Sequence, residues 1–475
     1  MFAPGSMPAL MRATPCTMRA VSKATRQVGP ATSPTGSAVP LTSRPKHVST
    51  VNSRRTFASS SIARRPAAEF TGMSEQGLTE SQIDVRQAIQ SICSQFDDNF
   101  WMHKDQSGEY PHELYDALSP GRWIGICMPE SLGGAGLGIS EATVMLQTIA
   151  ESGAAVAGAQ SIHANIYPLM PIIEFASPDQ HSHWLPKMID GRIRSCFGIT
   201  EPTTGSETLK LKTKAVKQGD KYVVSGSKIW TSSAQVASHM VLLARTSEPE
   251  SGSRSSGLSL FFAPLRDLPN TPKNAAKAQL RPGLEMRKIA KMGGNMVDAN
   301  EVWFDDFEIP ASCLIGEEGK GFKYVLHGMN AERCLLAGEA LGTGYAALKR
   351  AVKYAGERVV FGKPIGAMQA IQHPLAKSWA ELEAARHLTY AAARMFDDRA
   401  TDAGAQANAA KYMAAEAGFR ACETAVMTLG GMGYAREFHV ERLLREILVP
   451  RLAPVSREMV LNYLGQHVLG LPKSY

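Results

Sequence analysis

Met240-Val241-Leu242-Leu243, with Tyr222-Val223-Val224 before it and Leu258-Ser259-Leu260-Phe261-Phe262 after it, decides the fold. Each run is too short for a helix and is bounded by Gly, Ser, Asn and Asp. The runs read as antiparallel strands of a small barrel or sandwich that fills residues 191–310. Ser247–Gly257 is polar and low in complexity, so it reads as an exposed loop.

Outward from this segment the period changes. Folded sequence is expected to begin near residue 78, and 78–190 reads as helices joined by loops. Thr79 and Gln82 have capping-box spacing. Val85, Ile89, Ile92 and Phe96 then recur at helical intervals. The cluster Gly133-Gly134-Ala135-Gly136 lacks both the spacing and the βαβ setting of a dinucleotide fingerprint, and reads as a turn. Residues 311–475 return to long helical patterns rich in Ala and Leu, punctuated by Pro310 and Pro364. A chain of 475 residues exceeds one compact core. The expected class is therefore α+β and multi-domain: an N-terminal α domain, a central β domain and a C-terminal α-helical bundle.

Charge is unevenly spread. Residues 1–68 hold ten of the 51 Lys and Arg and no Asp or Glu. The remainder has 41 basic and 44 acidic residues, a net of −3, so the overall +7 gives no argument for nucleic-acid binding. Residues 1–68 are rich in Ser, Thr, Ala, Pro and Arg, the composition of a mitochondrial transit peptide, which predicts the mitochondrial matrix. A disordered basic tail is the alternative. No apolar run approaches the ~18 residues of a transmembrane helix. Seven widely spaced cysteines form neither a disulfide framework nor a zinc site, so no metal is expected.

Five motifs follow one another. They are Cys196-Phe197-Gly198-Ile199-Thr200-Glu201-Pro202-Thr203-Thr204-Gly205-Ser206-Glu207, Lys228-Ile229-Trp230-Thr231-Ser232, Glu357-Arg358-Val359-Val360-Phe361-Gly362-Lys363-Pro364, Met368-Gln369-Ala370-Ile371-Gln372 and Leu429-Gly430-Gly431-Met432-Gly433-Tyr434. In this order and at these intervals the chain, from about residue 80 to its end, resembles the acyl-CoA dehydrogenase family. The resemblance implies FAD, an acyl-CoA thioester as substrate, electron-transfer flavoprotein as acceptor and a homotetramer. It places Phe197, Ile199 and Thr200 along the flavin, with Gly205 and Ser206 near the pyrophosphate or the CoA chain. It places Trp230 on the ring system, with Thr231 and Ser232 beside it. Arg358, Phe361, Gln369, Gly430 and Gly431 are expected to reach the FAD of a neighbouring subunit, and Ser456 to join the cofactor site. Taken alone, Trp230 reads as a core aromatic and Arg358 as a surface cation. The family loop is usually small at Thr203 and Thr204, has Asp at Glu207 and a small residue at Lys210, and the last motif usually begins with Gln, where Met427 stands.

The implied reaction removes a proton from C2 of the acyl group while a hydride leaves C3 for flavin N5. Many members carry the base as a Glu in a Tyr-Glu-Gly-Thr motif. Here that stretch is Ala453-Pro454-Val455-Ser456, and proline accepts no proton. An isovaleryl- and long-chain-type subset carries the base on a C-terminal-domain helix just before an Arg. Asn330-Ala331-Glu332-Arg333 stands at the matching place, which makes Glu332 the candidate base. It falls on the apolar stripe Phe322, Val325, Met329, Leu336 and Ala340. A carboxylate there needs a purpose or a partner, and an ion pair to another helix is the structural alternative. Glu339 is the reserve base. The resemblance gives Asn330, Arg333, Leu336 and Ala453 to the substrate side, and the small Ala453 suits a branched acyl group. Two other activities stay open: an acyl-CoA oxidase, and a catalytically silent member acting in complex assembly.

Overall fold

A computed structural model of the chain describes residues 70–474, apart from 250, 252, 254 and 268–277. The expected import signal in 1–68 lies outside the described residues, as does part of the Ser247–Gly257 loop. Seven α-helices come first: α1 (Glu80–Cys93), α2 (Asp98–Ser107), α3 (His112–Leu118), α4 (Ile139–Ile149), α5 (Ala155–His163), α6 (Met170–Phe175) and α7 (Pro178–Ile189). Thr79 caps α1 in the expected box: its hydroxyl accepts from the Gln82 amide at 3.2 Å, and the Gln82 side chain accepts from the Thr79 amide at 3.1 Å. Structure begins earlier than expected, since Met73 is already buried and its amide donates to Glu151 at 2.8 Å.

The strands follow: β1 (Ser195–Gly198), β2 (Lys214–Gln218), β3 (Lys221–Ser232), β4 (His239–Arg245), β5 (Leu258–Pro264), β6 (Leu284–Lys288), β7 (Ala299–Pro310) and β8 (Leu314–Ile315). They form one sheet in the order β6-β7-β3-β2-β4-β5-β8, with β1 pairing β4 off that path. The antiparallel expectation holds for β4 with β5, from His239 opposite Pro264 to Arg245 opposite Leu258. Outside those runs, β1 pairs β4 in parallel, as does β2 at Lys214 opposite Arg245. Strand direction leaves no mark on a four-residue run, whereas burial does. Val241, Leu243, Leu260 and Phe262 pack with Trp184, Leu185, Tyr324 and Val325 on the helical side. Met240, Leu242, Phe261 and Ala263 pack with Tyr222, Val224, Phe304 and Phe307 on the other side. A strand covered on both faces has no polar alternation, which is why β4 and β5 read as continuous apolar runs.

The last third holds α8 (Gly321–Glu357), a short hairpin of β9 (Val359–Val360) and β10 (Lys363–Pro364), then α9 (Gln369–Asp397), α10 (Ala403–Leu429), α11 (Val440–Glu446), α12 (Val449–Leu452) and α13 (Arg457–His467). The order helices, sheet, helices is the expected one. The two helical parts share a core: Ile89, Trp101 and Leu146 pack with Leu335, Ala392 and Ala407. Helix α8 is central. Its first turns pack on the sheet through Tyr324 and Val325, and its middle lies among α4, α5 and α10.

Candidate active site

Glu332 sits in the first third of α8 with 8% exposure. Its Oε2 has no hydrogen-bond partner among the described residues, and the side chain forms no ion pair there. Burial raises its pKa from 4.5 to about 7, against the opposing pull of His163 and Arg333. Arg333 is adjacent in sequence, yet its Nη1 donates to Asn330 Oδ1 at 2.8 Å and the Met329 carbonyl at 3.2 Å. Burial lowers the Arg333 pKa. The other cation, Lys411 of α10, is pushed down to about 8 by burial and by Arg333. Its Nζ donates to the Val455 carbonyl at 2.7 Å, tying α10 to the turn that carries Ala453 and Pro454. Glu332 thus faces Arg333 and Lys411, beside His163, without an ion pair to Arg333 or Lys411 among the described residues.

Glu339, the reserve candidate, is wholly buried and bonded to His163 Nδ1 at 2.6 Å. Phe197, Ile199 and Thr200 lie half-buried on β1 and the turn after it, and the Ile229 amide donates to the Thr200 carbonyl at 2.9 Å. That bond sets the turn beside the far end of β3. There the register with β7 slips between Lys228 and Thr231, a bulge that re-aims the strand. Trp230 occupies it with φ +61 and is 56% exposed. A non-glycine residue in that backbone region costs energy and marks functional sites. Thr231 Oγ1 is buried without a hydrogen-bond partner among the described residues, and Ser232 is exposed beside it. An open aromatic face and an unsatisfied hydroxyl fit an isoalloxazine ring better than they fit a packed core. Gly205 and Ser206 are exposed, and a Cβ at Gly205 meets nothing within 4 Å. The unusual Glu207 and Lys210 pair with each other at 3.0 Å on the surface.

The remaining expected residues fall into two groups. Ser456 caps α13, accepting from the Met459 amide at 3.4 Å, and Ala453 is half-buried on the same turn. Leu336 is buried one turn beyond Glu332. Arg358, Phe361, Gln369, Gly430 and Gly431 are all exposed. Arg358 follows the end of α8, roughly 38 Å along the helix axis from Glu332 at 1.5 Å per residue. One copy of the chain does not bring this second group to Glu332.

Three contributors escaped the sequence reading. His163 ends α5, Tyr167 packs edge-on against it at 4.7 Å, and Lys411 approaches from α10. Tyr167 also meets Phe197 edge-on at 5.2 Å, linking the β1 strand to the Glu332 neighbourhood. The available signal was a lone His or Lys in an Ala-rich helix, at positions that only the packing of distant helices brings together.

Family models match nearly all of the described chain. The acyl-CoA dehydrogenase N-terminal domain matches residues 79–192, the middle domain 196–307 and the C-terminal domain 319–469. Acyl-CoA dehydrogenase fadE12 of Mycobacterium bovis is 33% identical over 402 residues, covering 84% of this chain and 98% of that protein. Short-chain specific acyl-CoA dehydrogenase, mitochondrial, of Bos taurus is 33% identical over 349 residues, covering 73% and 79%. The structure of butyryl-CoA dehydrogenase from Megasphaera elsdenii superposes with a TM-score of 0.75 at 28% identity, covering 82% of this chain and 99% of that one.

Proposed function

The chain belongs to the acyl-CoA dehydrogenase family, and on that premise we propose that it oxidises an acyl-CoA thioester to the 2-enoyl-CoA with Glu332 as base. One observation carries the assignment: a buried carboxylate on α8 with an unpaired Oε2 and a pKa lifted by burial to about 7. A base with that pKa is ionised in part at neutral pH and strong enough to take a C2 proton. Pro454 offers no competing carboxylate at the end of the chain.

FAD is the proposed cofactor, and when bound it supplies the acceptor for the hydride leaving C3. Trp230, Thr231 and Ser232 would hold its ring system, with Phe197, Ile199 and Thr200 opposite. Arg333, kept by Asn330 and the Met329 carbonyl, stays clear of Glu332 and leaves that oxygen free for substrate. The second group, Arg358 to Gly431, is assigned to the FAD of another subunit in a homotetramer. Its distance along α8 and the exposure of Phe361 at 90% support that reading. Electrons are proposed to pass to an electron-transfer flavoprotein. The acidic-free composition of residues 1–68 supports import to the mitochondrial matrix, in fatty-acid or branched-chain acyl-CoA breakdown.

The deciding experiment adds straight and branched acyl-CoAs, from butyryl to palmitoyl, to the purified flavoprotein without oxygen. Bleaching of the flavin supports the reading. Glu332→Gln should keep FAD and bind substrate yet bleach orders of magnitude more slowly. Bleaching at the unaltered rate would reject Glu332 as base.

A further inference from the structure

Glu339 lies two turns beyond Glu332 on nearly the same face of α8. Its Oε1 is 2.6 Å from Nδ1 of His163, and both side chains are buried. Three buried atoms in this cluster have no hydrogen-bond partner among the described residues: Glu332 Oε2, Glu339 Oε2 and His163 Nε2. A buried ion pair is a poor source of stability, since apolar residues of the same volume often do as well. Its presence beside a candidate base calls for another role.

We propose that His163 and Glu339 are positioning residues for Glu332: they keep one buried proton between them, and the resulting dipole, positive at His163, sets the charge against which Glu332 ionises. This rests on Glu332 being the base.

The titratable and charged groups facing Glu332 are His163 from α5, Tyr167 from the turn after it, Arg333 and Glu339 from α8 itself, and Lys411 from α10. Burial raises Glu332, His163 opposes that most strongly, Arg333 comes next, and Glu339 pushes the other way. Burial alone would strip His163 of its proton, but the Glu339 carboxylate outweighs it and holds the ring above its usual pKa. Burial likewise raises Glu339. Losing either partner therefore removes both charges. Glu339 without His163 takes up a proton, and His163 without Glu339 gives its own away. Either loss strips Glu332 of the cation that dominates this side.

The test uses the FAD-loaded enzyme with butyryl-CoA as probe and follows flavin reduction anaerobically across pH. At about pH 6, His163→Asn and Glu339→Gln should each reduce flavin about tenfold more slowly than the unaltered enzyme, and at about pH 9 equally fast. The double variant should match the singles, because the pair acts as one unit. An infrared band of a protonated carboxyl, absent in Glu332→Gln, should titrate to higher pH in both singles. Glu339→Gln keeps an oxygen for the His163 ring, so it serves alone if His163→Asn does not fold. A band whose midpoint stays put, or singles that shift in opposite directions or add in the double variant, overturns the proposal. Fast reduction in Glu332→Gln overturns the base assignment instead.

Discussion

Lys228 is without solvent exposure, and its Nζ donates to Glu201 Oε1 at 2.9 Å. The same ammonium donates to the Ile199 carbonyl at 3.0 Å, while Glu201 accepts from the Lys212 and Thr213 amides at 2.6 and 2.9 Å. The pair thus pins the turn Ile199-Thr200-Glu201 against β3, one residue short of the bulge that presents Trp230. Burial pushes the Lys228 ammonium down to about 8, and Glu201 resists it.

Removing one partner leaves the other charge buried, which costs about 3–5 kcal/mol. Lys228→Met should therefore lower Tm and weaken FAD retention together. Gel filtration with absorbance at the flavin band, beside a thermal melt, reads both. Full flavin content in a destabilised variant would mean that the pair holds the sheet but not the cofactor turn.

Glu332 carries a stability signature of opposite sign. Its folded pKa lies near 7, above the 4.5 of an exposed carboxyl, so the folded protein favours the neutral acid. That contribution is complete below about pH 4.5 and is lost as pH rises through 7. At pH 8 the buried carboxylate costs about 3 kcal/mol, a penalty that an amide of the same shape avoids. Glu332→Gln should melt higher than the unaltered protein at pH 8, with the gap closing by about pH 4.5. A gap that does not depend on pH would mean that Glu332 is paired or hydrated in solution.

What the sequence revealed follows from the range of the interactions. The α1 cap was legible because Thr79 and Gln82 are three apart and satisfy each other locally. Glu332 was picked out by resemblance, with its place on an apolar stripe as support. The parallel β1–β4 pair was not legible, since its partners are more than forty residues apart and either direction uses the same side chains. Nor were His163 and Lys411, which reach Glu332 from α5 and α10. Trp230 was placed by resemblance; its left-handed backbone at a bulge gives that placement a physical footing.

An assembly is expected from the apolar surface of the C-terminal helices. Phe361 is 90% exposed, Tyr434 87% and Met427 73%, large groups that water disfavours. Phe361 is also held at φ +54 on the β9–β10 hairpin, a conformation with an energetic cost. Phe361→Asp should lower the oligomeric state seen by native mass spectrometry and reduce flavin content at the same time. An unchanged tetramer would remove Phe361 from the interface. A monomer from the outset would remove the shared-site reading.

Two glycines of α8 separate close packing from helix propensity. A Cβ at Gly342 would lie 2.2 Å from the Gln147 carbonyl and 2.9 Å from Ala150 Cβ, so α4 crosses α8 there with no room for a methyl group. Gln147 is itself fixed, its side-chain oxygen accepting from the Tyr390 hydroxyl at 2.7 Å, so α4 does not yield easily. Gly342→Ala should destabilise by about 1–3 kcal/mol as the two helices move apart. Gly356, in the last turn of the same helix, has nothing within 4 Å of its would-be Cβ. Gly356→Ala should stabilise by about 0.4–1 kcal/mol, because the unfolded chain loses freedom that the helix never used. Opposite shifts in Tm for the same substitution on one helix are the expected result. A rise of equal size in both would show that the α4–α8 crossing is looser than 2.2 Å implies. The seat of Glu332, about 15 Å away along the same helix, would then be less rigid than its chemistry requires.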